Sequence, residues 1–221
     1  MARVIVIGGI ESTYANAQVL HSLGEEIVMF FTRGPQSPGW EGVDMIDESG
    51  FPFASKVPLC QVNGSINDHV GEMRELRPEV IYSFGWQQMY SRNLLNVSKV
   101  VGIHESLLPE GAGAVPIANA ILHGVRRTGC TLFWLDGGSD TGDIIGQLRG
   151  LLDPQTANAT ELYREAMRLG ADLLRMFVPH INAGTAPAIH QDASRRTVYR
   201  KVSWDQWPRE LVQRARVYPY A

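Results

Sequence analysis

Two residues of this chain have the types and the spacing to act together. His104 closes a short apolar run, and Asp140 follows 36 positions later inside Gly137-Gly138-Ser139-Asp140-Thr141-Gly142. An imidazole titrates near neutral pH, so it can donate a hydrogen bond to an oxygen that becomes negative and can carry a proton. A carboxylate beside it raises its proton affinity, orients the ring and can hold a relay water. Each residue taken alone has a blander reading. A histidine at a strand end is usually a hydrogen-bonded structural residue, and an aspartate ahead of Thr-Gly is usually a turn former. The chemical reading is therefore a joint one.

Other chemistries fall away at the level of motifs. Gly8-Gly9-Ile10-Glu11-Ser12-Thr13 lacks the G-x-G-x-x-G spacing of a dinucleotide site, and no acidic residue ends the second strand to hold a ribose. There is no Walker A lysine loop. His104-Glu105 begins an HExxH pattern, but position 108 is leucine, and no G-x-S-x-G elbow surrounds Ser106. Cys60 and Cys130 stand 70 residues apart with no CxxC or His/Cys cluster, so both read as reduced core thiols and no metal site is expected. With 20 Lys+Arg against 23 Asp+Glu the formal charge is −3, which supplies no basic field for tight nucleic-acid binding. The run Val4 to Ile7 is too short for a signal peptide, and no later run approaches a membrane span. A cytoplasmic location is expected, where the Asn-x-Ser/Thr triplets at Asn63, Asn96 and Asn158 carry no glycosylation meaning.

The elements that must position the pair alternate in the manner of an α/β sheet. Strands are expected at Arg3 to Ile7, Glu26 to Phe31, Lys56 to Leu59, Val80 to Phe84 and Val100 to His104, with helices over Thr13 to Leu23 and Ile66 to Leu76. Such alternation implies a mostly parallel, Rossmann-like sheet with helices on both faces, whose ligands lie beyond the carboxyl ends of the strands, where His104 falls. Pro116 suits the first turn of a helix that stops at Gly124. Strands follow at Thr131 to Asp136 and Ile144 to Leu148, and Thr160 is placed to cap a long helix through Leu174 that Pro179 kinks or ends. Pro187 to His190 and Thr197 to Val202 read as peripheral strands. The loop Arg33 to Gly42, with Pro35 and Pro38, reads as mobile or substrate-facing.

Taken in order, His104-Glu105-Ser106-Leu107-Leu108-Pro109, Gly113-Ala114-Val115-Pro116, Ala120-Ile121, Thr128-Gly129-Cys130-Thr131 and Asp140-Thr141-Gly142-Asp143-Ile144 resemble the formyltransferase family that uses 10-formyltetrahydrofolate. The resemblance runs from Val4 to about Trp207 and implies the formyltransferase-type α/β fold. It assigns catalysis to His104 and Asp140. It implies that the folate lies between Trp86-Gln87-Gln88-Met89 and the loop Asp136 to Thr141, with Gly138 and Ser139, which offers backbone groups to the pterin. Ser12, Thr13, Glu105 and Ser106 are candidates for the amine substrate. Formyl transfer to a primary amine must stabilise an oxyanion and move a proton from the attacking amine to the leaving nitrogen, which a histidine and a carboxylate can do.

One departure from the family pattern matters. Asn-x-His is replaced by Gly102-Ile103-His104, which removes a side-chain donor whose loss typically costs about 10²- to 10³-fold in turnover. Gln87, Gln88 and Asn119 have suitable chemistry to replace it. Glu105 and Glu110-Gly111-Ala112 also stand where Pro and Tyr/Arg are common. Residues 1–207 are expected to form the catalytic domain, and 208–221 a tail that begins a shortened or minimal C-terminal subdomain. The acidic balance and the short stretch after Trp207 disfavour tRNA, and Glu11 would repel the terminal phosphate of glycinamide ribonucleotide. The ending Thr197-Val198-Tyr199-Arg200-Lys201, Asp205 to Trp207 and Arg214 to Tyr220 is similar to sugar N-formyltransferases. The expected function is thus formyl transfer to a small amine, an amino sugar before others with nucleotide-linked ones included, and with glycinamide ribonucleotide, another small amine, or a folate-binding relative without activity as the alternatives. Neither a membrane nor a nucleic-acid partner is expected, and a homodimer is left open.

Overall fold

The computed structural model describes residues 1–34 and 57–216. Most of the Arg33 to Gly42 loop, Lys56, and the Tyr218 to Tyr220 end of the tail lie outside the described residues. The sheet is built on β1 (Arg3–Ile7), in which every residue after Arg3 is buried. Its β-branched run Val-Ile-Val-Ile suits a strand covered on both faces. Beside it lie β2 (Glu26–Arg33) and β4 (Val80–Phe84), followed outward by β3 (Leu59–Val62) on one side and β5 (Lys99–His104) on the other. These strands pair in parallel. Two antiparallel strands, β7 (Gly129–Trp134) and β8 (Ile144–Arg149), extend the sheet past β5, giving seven strands in the order β3-β2-β1-β4-β5-β7-β8. The chain reverses its direction of travel across the sheet between β1 and β4, which opens a crevice at their carboxyl ends, one strand away from His104.

The period-2 pleat divides the core. Val4 and Val6 of β1 face a cluster with Tyr82, Phe84, Val101, Leu132, α1 (Glu11–Ser22) and α5 (Ala159–Asn182). Ile5 and Ile7 face the other side, with Phe31, Ile81, Val100, α2 (Val70–Leu76) and α3 (Arg92–Leu95). Helix α5 buries Leu162, Ala166, Leu169, Leu173 and Ile181 on one stripe. Its cap is Asn158 and not Thr160. Asn158 accepts from the Glu161 amide at 3.0 Å, and its own amide donates to the Glu161 carboxylate at 2.9 Å, a capping box that starts the helix ahead of Thr160. Nor does Pro179 end it, because the apolar stripe through Val178 and Ile181 keeps packing on the core for the last turn.

The remaining differences from expectation lie where the sheet's own pattern is weak. The third strand runs Leu59–Val62, later than Lys56 to Leu59, and the seventh ends at Trp134 rather than Asp136. Pro187 to His190 contributes only one bridge, Ile144 to Ile189. Thr197 to Val202 reduces to β9 (Val198–Tyr199), which pairs with β6 (Ala112–Gly113). Two-residue strands carry no periodicity, so β6 was not visible in the sequence. Helix α4 (Pro116–Leu122) starts on Pro116 as expected. Helix α6 (Arg209–Arg216) docks Ala215 and Leu211 on Ile117, Ile121 and Leu162, so residues 209–216 pack on the body of the sheet domain. Among the described residues no helix is long and apolar enough to cross a membrane.

Leu173, fully buried under the sheet, and the Asn158 cap hold α5 by different means. Leu173→Ala is expected to cost about 2–5 kcal/mol and Asn158→Ala about 1 kcal/mol, measured by urea denaturation. Equal losses at the two positions would contradict this account of α5.

Candidate functional site

His104 ends β5 and is buried, pairing across the sheet with Thr131. Its Nε2–H donates to the Gly111 carbonyl at 2.8 Å. That fixes the ring and leaves Nδ1 as the nitrogen able to exchange a proton. Nδ1 faces the Asp140 carboxylate, with Oδ1 at 3.8 Å, an ion-pair distance longer than a direct hydrogen bond. The tertiary structure thus brings together the two residues that the sequence set 36 positions apart.

Asp140 takes a left-handed backbone, φ 53°, which aspartate tolerates better than most residues. The conformation is held from several directions. Oδ2 accepts from the Gly113 amide at 2.7 Å. The Asp140 carbonyl accepts from Gln191 Nε2 at 3.0 Å and Arg196 Nη1 at 3.1 Å. Gln191 and Arg196 carried no sequence signal, because their contacts span 51 and 56 residues and follow no period. The rest of the loop closes on itself. Asp136 Oδ1 accepts from the Gly138 amide at 2.9 Å and the Thr141 hydroxyl at 2.6 Å. A Cβ at Gly142 would overlap the Trp134 carbonyl, so that glycine serves the turn itself.

The Ser106 to Pro109 segment is anchored by Thr131, whose hydroxyl donates to the Ser106 carbonyl at 2.6 Å and accepts from the Leu108 amide at 3.1 Å. Gln147 adds a 2.7 Å bond to the Leu108 carbonyl. The next residues are held by the C-terminal strip. Gly111 N donates to Thr197 Oγ1 at 2.7 Å, and Ala112 N donates to the Thr197 carbonyl at 3.0 Å. The carbonyl that receives His104 is therefore fixed by a residue 86 positions away.

Gly102 keeps an ordinary strand backbone, so positive φ is not the reason for glycine there. A Cβ at this position would overlap Leu135 Cδ1 and stand 3.1 Å from Phe133. The space is apolar, part of a cluster with Leu108, Ala112 and Ile144. The side chains considered as replacement donors are engaged or displaced. Gln88 accepts from the Ile66 amide at 2.8 Å and donates to the Gly64 carbonyl at 2.9 Å. Asn119 donates to the Ala114, Val115 and Arg200 carbonyls, and Gln87 is exposed.

Other candidate residues fall into distinct surroundings. Thr13 is fully buried, donating to the Phe84 carbonyl at 2.8 Å, and the Ser12 amide donates to Tyr163 Oη at 3.0 Å. Ser106 Oγ donates to the Glu110 carbonyl at 2.8 Å. Trp86 packs on the α2 side of the core and Met89 is exposed. Glu105 lines a small cavity with Ile117, Leu162, Ala166 and Leu169, and burial pushes its carboxyl above the ordinary range. Cys130 is fully buried as expected, whereas Cys60 is not an isolated core thiol, since β3 sets it beside His69. A groove of about 900 Å³ opens next to the site. It shares Ser106 and Gly111 with the surroundings of His104, and Arg127, Arg200, Lys201, His123, Tyr199 and Trp207 contribute to its walls. His123 stacks on Tyr199 at 5.5 Å between ring centroids and meets the Trp207 ring edge-on at 5.0 Å.

Residues 2–176 match the formyl transferase family model. The chain is 35% identical over 207 residues to the methionyl-tRNA formyltransferase of Symbiobacterium thermophilum, covering 91% of this chain and 63% of that protein. It spans, that is, less than two thirds of the relative's length. Among solved structures it is similar to a 4-N formyltransferase from Francisella tularensis, with a TM-score of 0.75 at 14% identity, covering 100% of this chain and 90% of that one. It is also similar to an N-formyltransferase from Helicobacter canadensis solved with folinic acid and dTDP-3-aminofucose, with a TM-score of 0.73 at 17% identity, covering 99% and 81% of the two chains.

Packing at Gly102 and burial at Glu105 each have a measurable consequence. Gly102→Asn is expected to cost about 1–3 kcal/mol through overpacking. In a double-mutant cycle with Leu135→Ala the combined loss should be smaller than the sum of the single losses; additive losses would place Leu135 elsewhere. For Glu105 the raised carboxyl favours the folded state while both states are protonated, and that contribution is lost as pH rises through the folded-state value. Glu105→Gln should therefore gain stability relative to the parent as pH rises from about 4, and a difference independent of pH would count against a buried carboxyl.

Proposed function

The chain belongs to the formyl transferase family, and on that premise we propose that it moves a formyl group from 10-formyltetrahydrofolate to the primary amine of a small substrate. The observation that carries this reading is the fixed approach of His104 Nδ1 to Asp140 Oδ1 at the carboxyl end of β5. The loops after β4 and between β7 and β8 flank that end. For the folate we infer a place between Trp86, Gln87, Gln88 and Met89 in the loop after β4 and Asp136, Gly138, Ser139 and Thr141 in the loop between β7 and β8.

The folate, when bound, supplies a formyl group on a good leaving nitrogen. His104 has one proton committed to Gly111, so its exchangeable proton sits at Nδ1. A proton there stabilises the oxygen that turns negative as the amine adds to the formyl carbon. Asp140 orients the ring and takes up the positive character of the attacking amine, directly or through a relay water. One C–N bond forms to the amine, one breaks to the folate, and one proton passes between the two nitrogens. The balance therefore closes with no further reactant.

For the amine we infer an acceptor that bears phosphate, a nucleotide-linked amino sugar first. Support comes from the neighbouring groove, where Arg127, Arg200 and Lys201 offer positive charge beside an aromatic wall of His123, Tyr199 and Trp207. Arg195 adds less, being paired with Glu110 at 2.7 Å. Methionyl-tRNA belongs in the same comparison, because a relative 35% identical to this chain carries that name. A second reading, folate binding without turnover, is favoured by one observation: Leu135 fills the place where the family's asparagine would donate.

The test combines 10-formyltetrahydrofolate with a panel of nucleotide-linked amino sugars, glycinamide ribonucleotide and methionyl-tRNA, following tetrahydrofolate release. Release with an amino sugar is expected. Folate binding with no release from any amine would establish the second reading. In the active pair, His104→Ala should lower turnover at least 10²-fold. Asp140→Asn, which still accepts from Gly113, should do the same with little change in Tm. Turnover of the His104 variant within a few-fold of the parent would remove that residue from the mechanism.

A further inference from the structure

At the opposite edge of the sheet from β8, three potential metal ligands of different chemistry converge. Cys60 lies on the edge strand β3, His69 in the 3-10 turn Ile66–His69, and Glu72 in the first turn of α2. Cys60 Sγ stands 3.7 Å from His69 Nδ1, and Glu72 Oε2 stands 3.1 Å from the same nitrogen. The three ligand atoms lie within 4.8 Å of one another. The edge of the Phe31 ring meets the imidazole with centroids 5.4 Å apart and packs it in place.

The arrangement has more lone pairs than protons to share. If Nδ1–H donates to Glu72, that nitrogen cannot also accept from the Cys60 thiol. If it accepts from the thiol, the carboxylate loses its donor. One divalent ion between the three groups satisfies all of them at once. Ligand atoms at about 2.0–2.3 Å around a tetrahedral zinc lie roughly 3.3–3.6 Å from each other, and the two observed spacings fall close to that range. Thiolate, imidazole and carboxylate together are a ligand set suited to zinc, and the sulfur disfavours magnesium and calcium. Ion uptake displaces the thiol proton.

We propose that Cys60, His69 and Glu72 form a zinc-binding site that pins the edge strand β3 to the turn leading into α2. Position argues for a structural role. Along the sheet β3 is four strands from β5, roughly 19 Å at a spacing of about 4.8 Å per strand, so an ion there cannot touch the group that His104 handles. Glu72 is exposed, with 42% of its side chain accessible, so the ion's fourth position opens to water.

The test uses the full chain without a histidine tag, freed of metal by chelation, and titrates it with cobalt as a spectroscopic probe and with zinc. One ion per chain is expected. The cobalt form should show thiolate-to-metal charge transfer, and saturating zinc should raise Tm by about 2–4 °C or more. Cys60→Ala should abolish the charge-transfer band while Cys130→Ala keeps it. Glu72→Gln, an exposed change that leaves folding intact, should weaken zinc at least about tenfold. Formyl transfer should be the same with and without zinc, so the outcome is independent of the proposed activity. Absence of stoichiometric zinc, or a cobalt spectrum indifferent to Cys60 and Glu72, would overturn the site and leave a hydrogen-bonded trio only.

Discussion

The carboxylate of Asp140 is the point on which the rest of the site depends. Its Oδ2 is held by the Gly113 amide, its carbonyl by Gln191 and Arg196, and its Oδ1 looks at His104. The loop, the β6 segment and the C-terminal strip therefore share one anchor. A residue in the left-handed region persists only when its surroundings over-determine it, and here three separate segments do so. The gain is a fixed charge beside the imidazole that costs no reorganisation when a proton moves.

The same reasoning extends to His104. Its Nε2–H would be free to wander if Gly111 were an ordinary loop carbonyl, but β6 is stitched to β9 and to Thr197. Thr131 and Gln147 hold the preceding turn from the sheet side. The histidine is thus clamped between an interior strand and a peripheral strip, and only Nδ1 is left to exchange its proton. Such preorganisation is the usual source of electrostatic stabilisation in transfer reactions.

Leu135 makes the surroundings of the proposed transfer drier than the family pattern implies. Without a side chain at Gly102, the apolar cluster of Leu108, Phe133, Leu135 and Ile144 reaches up to the strand backbone. A drier site strengthens the interaction of His104 with a developing charge, which works against the loss of one donor. Outside it lies the cationic and aromatic groove proposed for the acceptor, with Gly111 as the shared wall.

Much of this was legible in the residues. Strong local patterns gave β1 and β4 to the residue, because a mainly apolar run stopped by a glycine has one way to lie in a covered sheet. The starting proline of α4 and the paired motifs around His104 and Asp140 were equally local. What the sequence left undecided depends on contacts distant along the chain. It pointed to Thr160 where Asn158 and Glu161 close the cap, because a box needs two side chains to meet. It could not see β6, which exists only as the partner of β9, nor the hold of Gln191 and Arg196 on Asp140. It read Cys60 as a solitary thiol, since nine positions separate it from His69 and only the turn from β3 into α2 closes that gap. Residue types and spacing determined which groups had the chemistry; the packing of remote segments decided which of them face one another, since no local pattern encodes a contact made only after the chain has folded back.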